Sequence, residues 1–408
     1  MKKLFASLIC FSLIYTNAQS VSKKAIVRHI TYLASDSLHG RGAGSDDEAK
    51  AADYIARIFA DYKLQSLPGK NGYFQNFSFK VKSNPHGDDT NGVVRTCKNV
   101  VGYLDNHATH TIVLGAHYDH LGMGYDRNSL DPNPEGKIHN GADDNASGTA
   151  GVLELVKVLS AQKKKLNCNV IFCLFSGEEL GLVGSKKFVE SNHLDSSNIR
   201  YMINLDMIGR MNDSTKTLLV MGYGTAAEWG QIIPASNKGF NLKFDSAGIG
   251  PSDYASFYLE NIPVLGIFTG QHSDYHKPTD DIDKINFKKE KMILEFVARV
   301  ILEAQTYPRI SFLKTVNKES TRTKLKVSLG IMPDYVYDGK GLRIDGVSEN
   351  KPALKAGLKK GDVIIKIGEI EILGMQDYMK ALAGVNKGDT KKITILRGQD
   401  SMEVEVVF

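Results

Sequence analysis

The chain has 408 residues, 42% of them hydrophobic and 24% charged, which is ordinary for globular protein and long enough for two or three domains with separate cores. Its formal net charge of +5 is too weak to argue for a polyanionic partner. No basic stripe interleaved with aromatics occurs, so no nucleic-acid partner is expected.

The first residues read as an export leader. Lys2-Lys3 form a charged start, Leu4 to Tyr15 are mostly apolar, and Thr16-Asn17-Ala18 offers small residues for cleavage before Gln19. The expected leader is 1–18, and the expected location is the periplasm or the exterior. The apolar stretch is too short for a comfortable membrane span, and no later segment is long enough either. A lipid anchor at Cys10 fits poorly, because the leader stays apolar beyond it. Of the other cysteines, Cys168 and Cys173 bracket an apolar run and read as small core residues, while a disulfide involving Cys97 stays open.

Ser35 to Gly42 reads as a polar, Gly-rich loop. Asp47 to Lys63 reads as a helix with Ile55, Ile58, Phe59 and Tyr62 on one face. Residues 73 to 104 read as extended strands with turns at Asn84-Pro85-His86-Gly87 and Asn91-Gly92. A βα alternation follows. Thr111 to Leu114 is a short strand leading to His117, and Gly148 to Leu159 is an amphipathic helix. Val170 to Phe175, Tyr201 to Leu205, Leu218 to Met221 and Pro263 to Phe268 are further strands, and Lys288 to Gln305 closes the unit as a long helix. The pattern predicts an α/β fold, a mixed and mostly parallel sheet sandwiched by helices. Residues 306–322 read as an irregular polar linker. From 323 to 408 the texture changes to a small β-rich unit in which Pro352 opens a short helix that Gly357 stops, Val363 to Ile367 is a strand, and Met375 to Gly384 is a second helix.

Five stretches place an acid or a histidine at the carboxyl end of a strand or in the loop after it, where open α/β sheets put their chemistry. They are Ala116-His117-Tyr118-Asp119, Gly141-Ala142-Asp143-Asp144-Asn145, Ser176-Gly177-Glu178-Glu179, Asn204-Leu205-Asp206 and Asp274-Tyr275-His276. Two imidazoles with several carboxylates suit a pair of borderline cations such as zinc. His117 and His276 would supply the imidazoles, Asp143 the bridging carboxylate in its tight turn, and Asp206 and Glu179 would each complete one metal. Adjacent residues of an extended segment point to opposite sides, so Glu178 would face the water as a general base. Asp119, two residues beyond His117, would orient that imidazole. Each piece alone is an ordinary polar pair or a helix cap; the ordered coincidence of all five carries the metal reading.

These stretches, extended to Gly141–Gly148, Phe175–Gly181, Asn204–Gly209 and Tyr275–Asp280, closely resemble metallopeptidase family 28, the co-catalytic di-zinc aminopeptidases. Leu33-Ala34-Ser35-Asp36 with Gly40-Arg41-Gly42-Ala43-Gly44 is similar to that family's N-terminal segment, and the likeness spans roughly residues 25 to 305. The resemblance implies a zinc-exopeptidase fold over 19–305 and two zinc ions bridged by Asp143. One would be held by His117 and Asp206, the other by Glu179 and His276, with Glu178 as base. It also implies a cis peptide at Asp143-Asp144. One departure is Ile249-Gly250-Pro251, standing where some relatives carry a tyrosine that stabilises the tetrahedral intermediate.

Leu329-Gly330-Ile331, Ile344-Asp345-Gly346-Val347, Lys351-Pro352-Ala353, Ala356-Gly357-Leu358 and Gly361-Asp362-Val363-Ile364 resemble a PDZ domain over roughly 323–408. That implies an open strand edge and a Gly turn able to receive a peptide C-terminus or a protein partner. Together the leader and the resemblances imply an exported zinc aminopeptidase acting on peptides. The alternatives are a carboxypeptidase or aminoacyl-amide hydrolase on the same fold, a weaker glutaminyl-cyclase-like transferase, and a PDZ-driven binding protein whose peptidase unit is incidental.

Overall fold

The computed structural model describes residues 20–81, 92–126, 128–163, 166–191, 198–315, 326–333, 337, 339–347 and 351–408. The leader expected at 1–18, the turn expected at 84–87 and residues 316–322 of the expected linker lie outside them.

The larger unit opens with helix α1 (Lys23–Leu33), capped by Ser22 Oγ accepting from Ala25 N at 3.3 Å. It buries Ile26, His29, Ile30 and Leu33, a helical stripe narrow enough among charged neighbours to escape the sequence reading. Helix α2 (Asp46–Asp61) follows. Ser45 Oγ accepts from Glu48 N (3.0 Å), and the Glu48 carboxylate reaches back to accept from Gly44 N (2.6 Å), so two amides at the helix mouth are satisfied reciprocally.

Strands β1 (Phe74–Val81), β2 (Val93–Leu104), β3 (Thr111–His117), β4 (Asn169–Phe175), β5 (Ile199–Leu205), β6 (Thr217–Met221), β7 (Asn241–Phe244) and β8 (Val264–Phe268) form one sheet in the order β1-β2-β4-β3-β5-β8-β6-β7. The central run β4-β3-β5-β8 is parallel throughout, whereas β1, β2 and the β6–β8 pair are antiparallel. Alternate residues of the central strands enter different cores, as the pleat requires. Ile112, Leu114, Val170, Phe172, Leu174, Tyr201 and Ile203 pack on one side, with α1, α2, α3 (Gly148–Ala161), α5 (Trp229–Ser236) and α7 (Phe287–Ala304). Val113, Ile171, Cys173, Phe175 and Met202 pack on the other with α4 (Val183–Glu190) and α6 (Tyr254–Leu259). Burial on both faces explains why these strands read as continuous apolar runs. Cys97, Cys168 and Cys173 are buried and free, which closes the disulfide question.

From β3 the chain crosses to β4 on one side and then to β5 on the other. The connections leaving these strands therefore run in opposite directions from β3, whose end is the switch point at which α/β sheets open a crevice.

The expected linker is in its first part no linker. Ile310 is buried, Leu313 N donates to Thr225 O (2.7 Å), and Thr315 N donates to Tyr258 Oη (2.9 Å), so residues 310–315 lie on the larger unit. Polar composition concealed this, because much of the attachment is through hydrogen bonds.

The second sheet has the order β14-β13-β11-β10-β9, from β9 (Ile331–Pro333), β10 (Leu342–Val347), β11 (Val363–Ile367), β13 (Thr390–Arg397) and β14 (Asp400–Val407), with β12 (Ile370–Glu371) on β11. Short helix α8 (Pro352–Lys355) has Pro at its start and is followed by Gly357 at φ 78°, where glycine carries no steric penalty. Helix α9 (Met375–Ala383) supplies Tyr378, Ala381 and Leu382 to a third core.

Candidate metal centre

Each strand of the parallel centre delivers at least one group. His117 ends β3; Glu178 and Glu179 follow β4; Asp206 follows β5; His276 lies in the loop after β8. The register pairs His117 with Phe175 and Leu205 with Ile267, so the loops leave the sheet at one level and converge.

The convergence is tight. His117 Nε2 lies 3.3 Å from Asp144 Oδ1 and 3.5 Å from Asp206 Oδ1. His276 Nε2 lies 3.3 Å from Asp144 Oδ2 and 3.1 Å from Glu179 Oε2. Asp144 thus stands between two imidazoles with one oxygen toward each. His117, Asp144 and Glu179 also offer ligand atoms that all lie within 4.8 Å of one another.

Asp143, expected as the bridge, is turned away. Its Oδ1 accepts from Gly209 N (2.6 Å) and Ser147 Oγ (3.0 Å), and its Oδ2 faces His272 Nε2 at 3.2 Å. Asp144 rather than Asp143 stands between the two imidazoles, and the cis peptide lies at Asp144-Asn145 rather than Asp143-Asp144. The turn is anchored from both sides. Asp143 N and Asp144 N each donate to Asp280 Oδ2 at 3.0 Å, and Asn145 Nδ2 donates to Leu205 O at 3.0 Å. Two consecutive aspartates point apart, and only the register of that anchoring decides which faces the imidazoles.

Asp119 also departs from its expected role. Its carboxylate stands 3.7 Å from His117 Nδ1, beyond a hydrogen bond, and instead accepts from Glu178 N at 3.2 Å. His117 Nδ1 meets the main-chain carbonyl of Asp119 at 3.2 Å, and His276 Nδ1 meets Asn128 O at 2.9 Å. A carbonyl only accepts, so the proton sits on each Nδ1 and each Nε2 is left to ligate.

Two further partners escaped the sequence reading. His120 Nδ1 is 2.8 Å from Glu179 Oε1, and Ser252 Oγ donates to Asp206 Oδ2 at 2.6 Å. His120 lies one residue beyond the Ala116–Asp119 stretch and reads from sequence only as a neighbour of Asp119. Ser252 carries no signal without the fold.

Electrostatically the cluster calls for positive charge. Burial would keep His117 and His276 neutral, yet the surrounding carboxylates reverse this and push both well above the ordinary histidine range. Burial, reinforced by Glu179, Asp253 and Asp206, pushes Glu178 well above the ordinary glutamate range, against the pull of His117. Two imidazoles presenting Nε2 and three carboxylates (Asp144, Glu179, Asp206) are a donor set of the type that zinc takes.

The cavity over the cluster is lined by His117, Asp144, Glu178, Asp206 and His276 on its polar side. Met207, Met221, Pro251, Phe268 and Tyr275 give it an apolar wall. No lysine or arginine lines it among the described residues. Arg210, four residues beyond Asp206, is engaged by Asp274 at 3.0 Å, with Asp280 at 3.8 Å.

A model of peptidase family M28 matches residues 99–301, and a PDZ domain model matches residues 317–407. Leucine aminopeptidase 2 of Arthroderma otae is 28% identical over 232 residues, covering 48% of this chain and 44% of that protein. The chain spans less than half the length of the curated relatives it first matches. The crystal structure of the LapA aminopeptidase of Legionella pneumophila superposes with a TM-score of 0.54 at 21% identity, over 75% of this chain and 78% of that one. Bacteroides thetaiotaomicron glutaminyl cyclase bound to N-acetylhistamine gives 0.56 at 18%, over 69% and 98%. At such identities these likenesses establish the fold, and the site must carry the chemistry.

Proposed function

Because residues 99–301 belong to peptidase family M28 and residues 317–407 to the PDZ family, we propose that this chain is an exported di-zinc exopeptidase that removes N-terminal residues from peptides. His117 and Asp206 would hold one zinc, His276 and Glu179 the other, and Asp144 would bridge them. Bound there, the ions would supply Lewis acidity, acidifying a water and polarising the scissile carbonyl. Glu178 lines the cavity beside His117 and Asp206, where its carboxylate would hold the proton taken from the water and return it to the leaving amine. Asp119 steadies Glu178 through its main-chain amide, and Ser252 and His120 steady Asp206 and Glu179.

The observation that favours an aminopeptidase is the lining itself. Asp144, Glu178 and Asp206 face the cavity, while Arg210 is already engaged by Asp274. Such a wall offers no side-chain cation to a substrate carboxylate, as a carboxypeptidase would need. Met207, Met221 and Phe268 would accommodate an apolar N-terminal side chain. In the PDZ region β9 is an outer strand of its sheet, beside Gly330 at φ 79°, so a peptide C-terminus or a partner's extended segment would add there as a further strand.

The test uses matched peptides with free and acetylated amino termini, with and without chelator. Chelator-sensitive cleavage confined to free termini supports the reading. Cleavage of blocked peptides would move it to the carboxypeptidase or amide-hydrolase alternative. Glu178→Gln is expected to keep both zinc ions and lower kcat by about 10²–10⁴-fold; a variant that keeps its rate would remove Glu178 from the chemistry. Export is checked by N-terminal sequencing of the mature protein, where a start at Gln19 is expected.

A further inference from the structure

The Gly40-Arg41-Gly42 segment has no part in the ligand set or in the chemistry above, yet it forms an arch against both loops that carry His117 and Asp144. His39, Gly40 and Arg41 all have positive φ (40°, 73° and 51°), a costly run where two of the three are not glycine. A Cβ on Gly40 would lie 2.4 Å from His139 O and 2.6 Å from Gly122 O, so the main chain itself is pressed between neighbouring loops. Gly122 N donates to Gly40 O (3.0 Å), and His120 N donates to Arg41 O (3.1 Å).

The Arg41 side chain is only 1% exposed, and its donors end on main-chain carbonyls. Nε donates to Tyr118 O (2.9 Å), Nη1 to Asn140 O (2.6 Å) and to Leu33 O, and Nη2 to Gly141 O (3.1 Å). Tyr118 directly follows His117; Asn140 and Gly141 lead into the turn that carries Asp144. One guanidinium therefore spans the two ligand-bearing loops and ties both to the end of α1. Asp119, Asp144, Asp280 and Glu179 all attract it. Burial lowers its pKa only to about 10, so it stays charged at neutral pH.

We propose that Arg41 is a positioning residue for the metal centre: it fixes the separation between the end of β3 and the Asp144 turn, and it keeps a buried positive charge behind the carboxylates that face the metals. This rests on the metal-centre reading above. A methionine here would leave the carbonyls of both loops unpaired and the carboxylates without that counter-charge. A lysine would keep the charge, but its single ammonium cannot reproduce the planar fork that spans both loops.

The test takes the full chain as wild type, Arg41→Lys, Arg41→Met and Leu38→Ala, the last removing a buried side chain from the same arch without touching the guanidinium. Zinc affinity is read by competition with a chromophoric chelator, and Tm is read on the metal-free proteins. Arg41→Lys and Arg41→Met are each expected to weaken zinc binding at least tenfold. Leu38→Ala should bind zinc as wild type does despite a lowered metal-free Tm. Zinc affinities within twofold of wild type for the Arg41 variants would overturn the proposal. So would a loss of zinc affinity in Leu38→Ala as large as theirs, since the effect would then be general destabilisation. If Arg41→Met does not fold, Arg41→Lys against Leu38→Ala decides on the same criteria. A wild type that binds no zinc would instead overturn the metal-centre reading itself.

Discussion

Asp143 and Asp144 are chemically identical neighbours, and the structure gives them opposite duties. Asp143 Oδ1 accepts from Gly209 N and Ser147 Oγ and its Oδ2 lies 3.2 Å from His272 Nε2, while Asp144 stands between His117 and His276. Asp144→Asn is therefore expected to abolish two-zinc binding and lower kcat/KM by at least about 100-fold, since a bridging carboxylate loses its charge. Asp143→Asn should retain both metals and lower Tm instead, because it weakens a buried bond to Gly209. Metal analysis of the two purified variants separates these outcomes, and a zinc-free Asp143→Asn would return the bridge to Asp143. The residue types of the site were legible from sequence, as each sits at a strand's carboxyl end, in the loop that follows one, or at the mouth of a helix. Which aspartate bridges was not, because that depends on hydrogen bonds to Asp280 and Leu205, 136 and 60 residues from their donors Asp144 and Asn145. The Asp119 carbonyl was equally invisible, because main-chain partners leave no trace in side-chain identity.

Among elements, α1 and α2 meet through a buried histidine. His29 is 2% exposed, with Nδ1 2.7 Å from Tyr54 Oη, and its pKa is pushed down to about 4 by burial and by the charges of Arg28 and Lys157. Its folded pKa lies below the ordinary value of 6.5, so between these values the unfolded chain binds the proton that the native state refuses. The stabilisation is complete above 6.5 and is lost as pH falls toward 4. The expected loss from this group is about 2 kcal/mol between pH 7 and 5. Urea denaturation at the two pH values should show that loss in wild type and a smaller one in His29→Gln; equal slopes would remove His29 as its source. Helix α1 was not read from sequence because its stripe of Ile26, Ile30 and Leu33 is narrow, and its stability comes from the docking surface more than from propensity. Helices α2, α3 and α7 and the central strands were legible because their apolar period is long or continuous.

At the scale of the molecule, the two sheets have separate cores: Leu329, Ile344, Ile364, Ile393 and Val406 belong to a cluster sharing no residue with those around the larger sheet. Zinc that binds only the native larger unit stabilises that unit alone by mass action. Calorimetry should therefore show two transitions, of which chelator lowers one and leaves the other in place. A single transition, or a common shift of both, would show that the units unfold together. Much of this organisation follows from local chemistry. Apolar runs buried on both faces specify central parallel strands, acids and histidines beyond their ends specify a cation site, and a change of texture near residue 323 marks a second unit. These properties are carried by neighbours in the chain, so a period or a spacing reveals them. The choice of Asp144 over Asp143, the hold of His120 and Ser252 on the ligands, the docking of residues 310–315 and the burial of Arg41 are contacts between segments far apart in sequence. They exist only once the strand order β4-β3-β5-β8 has brought four loops to one edge, because hydrogen bonds at about 3 Å are set by three-dimensional register, which composition and periodicity do not encode.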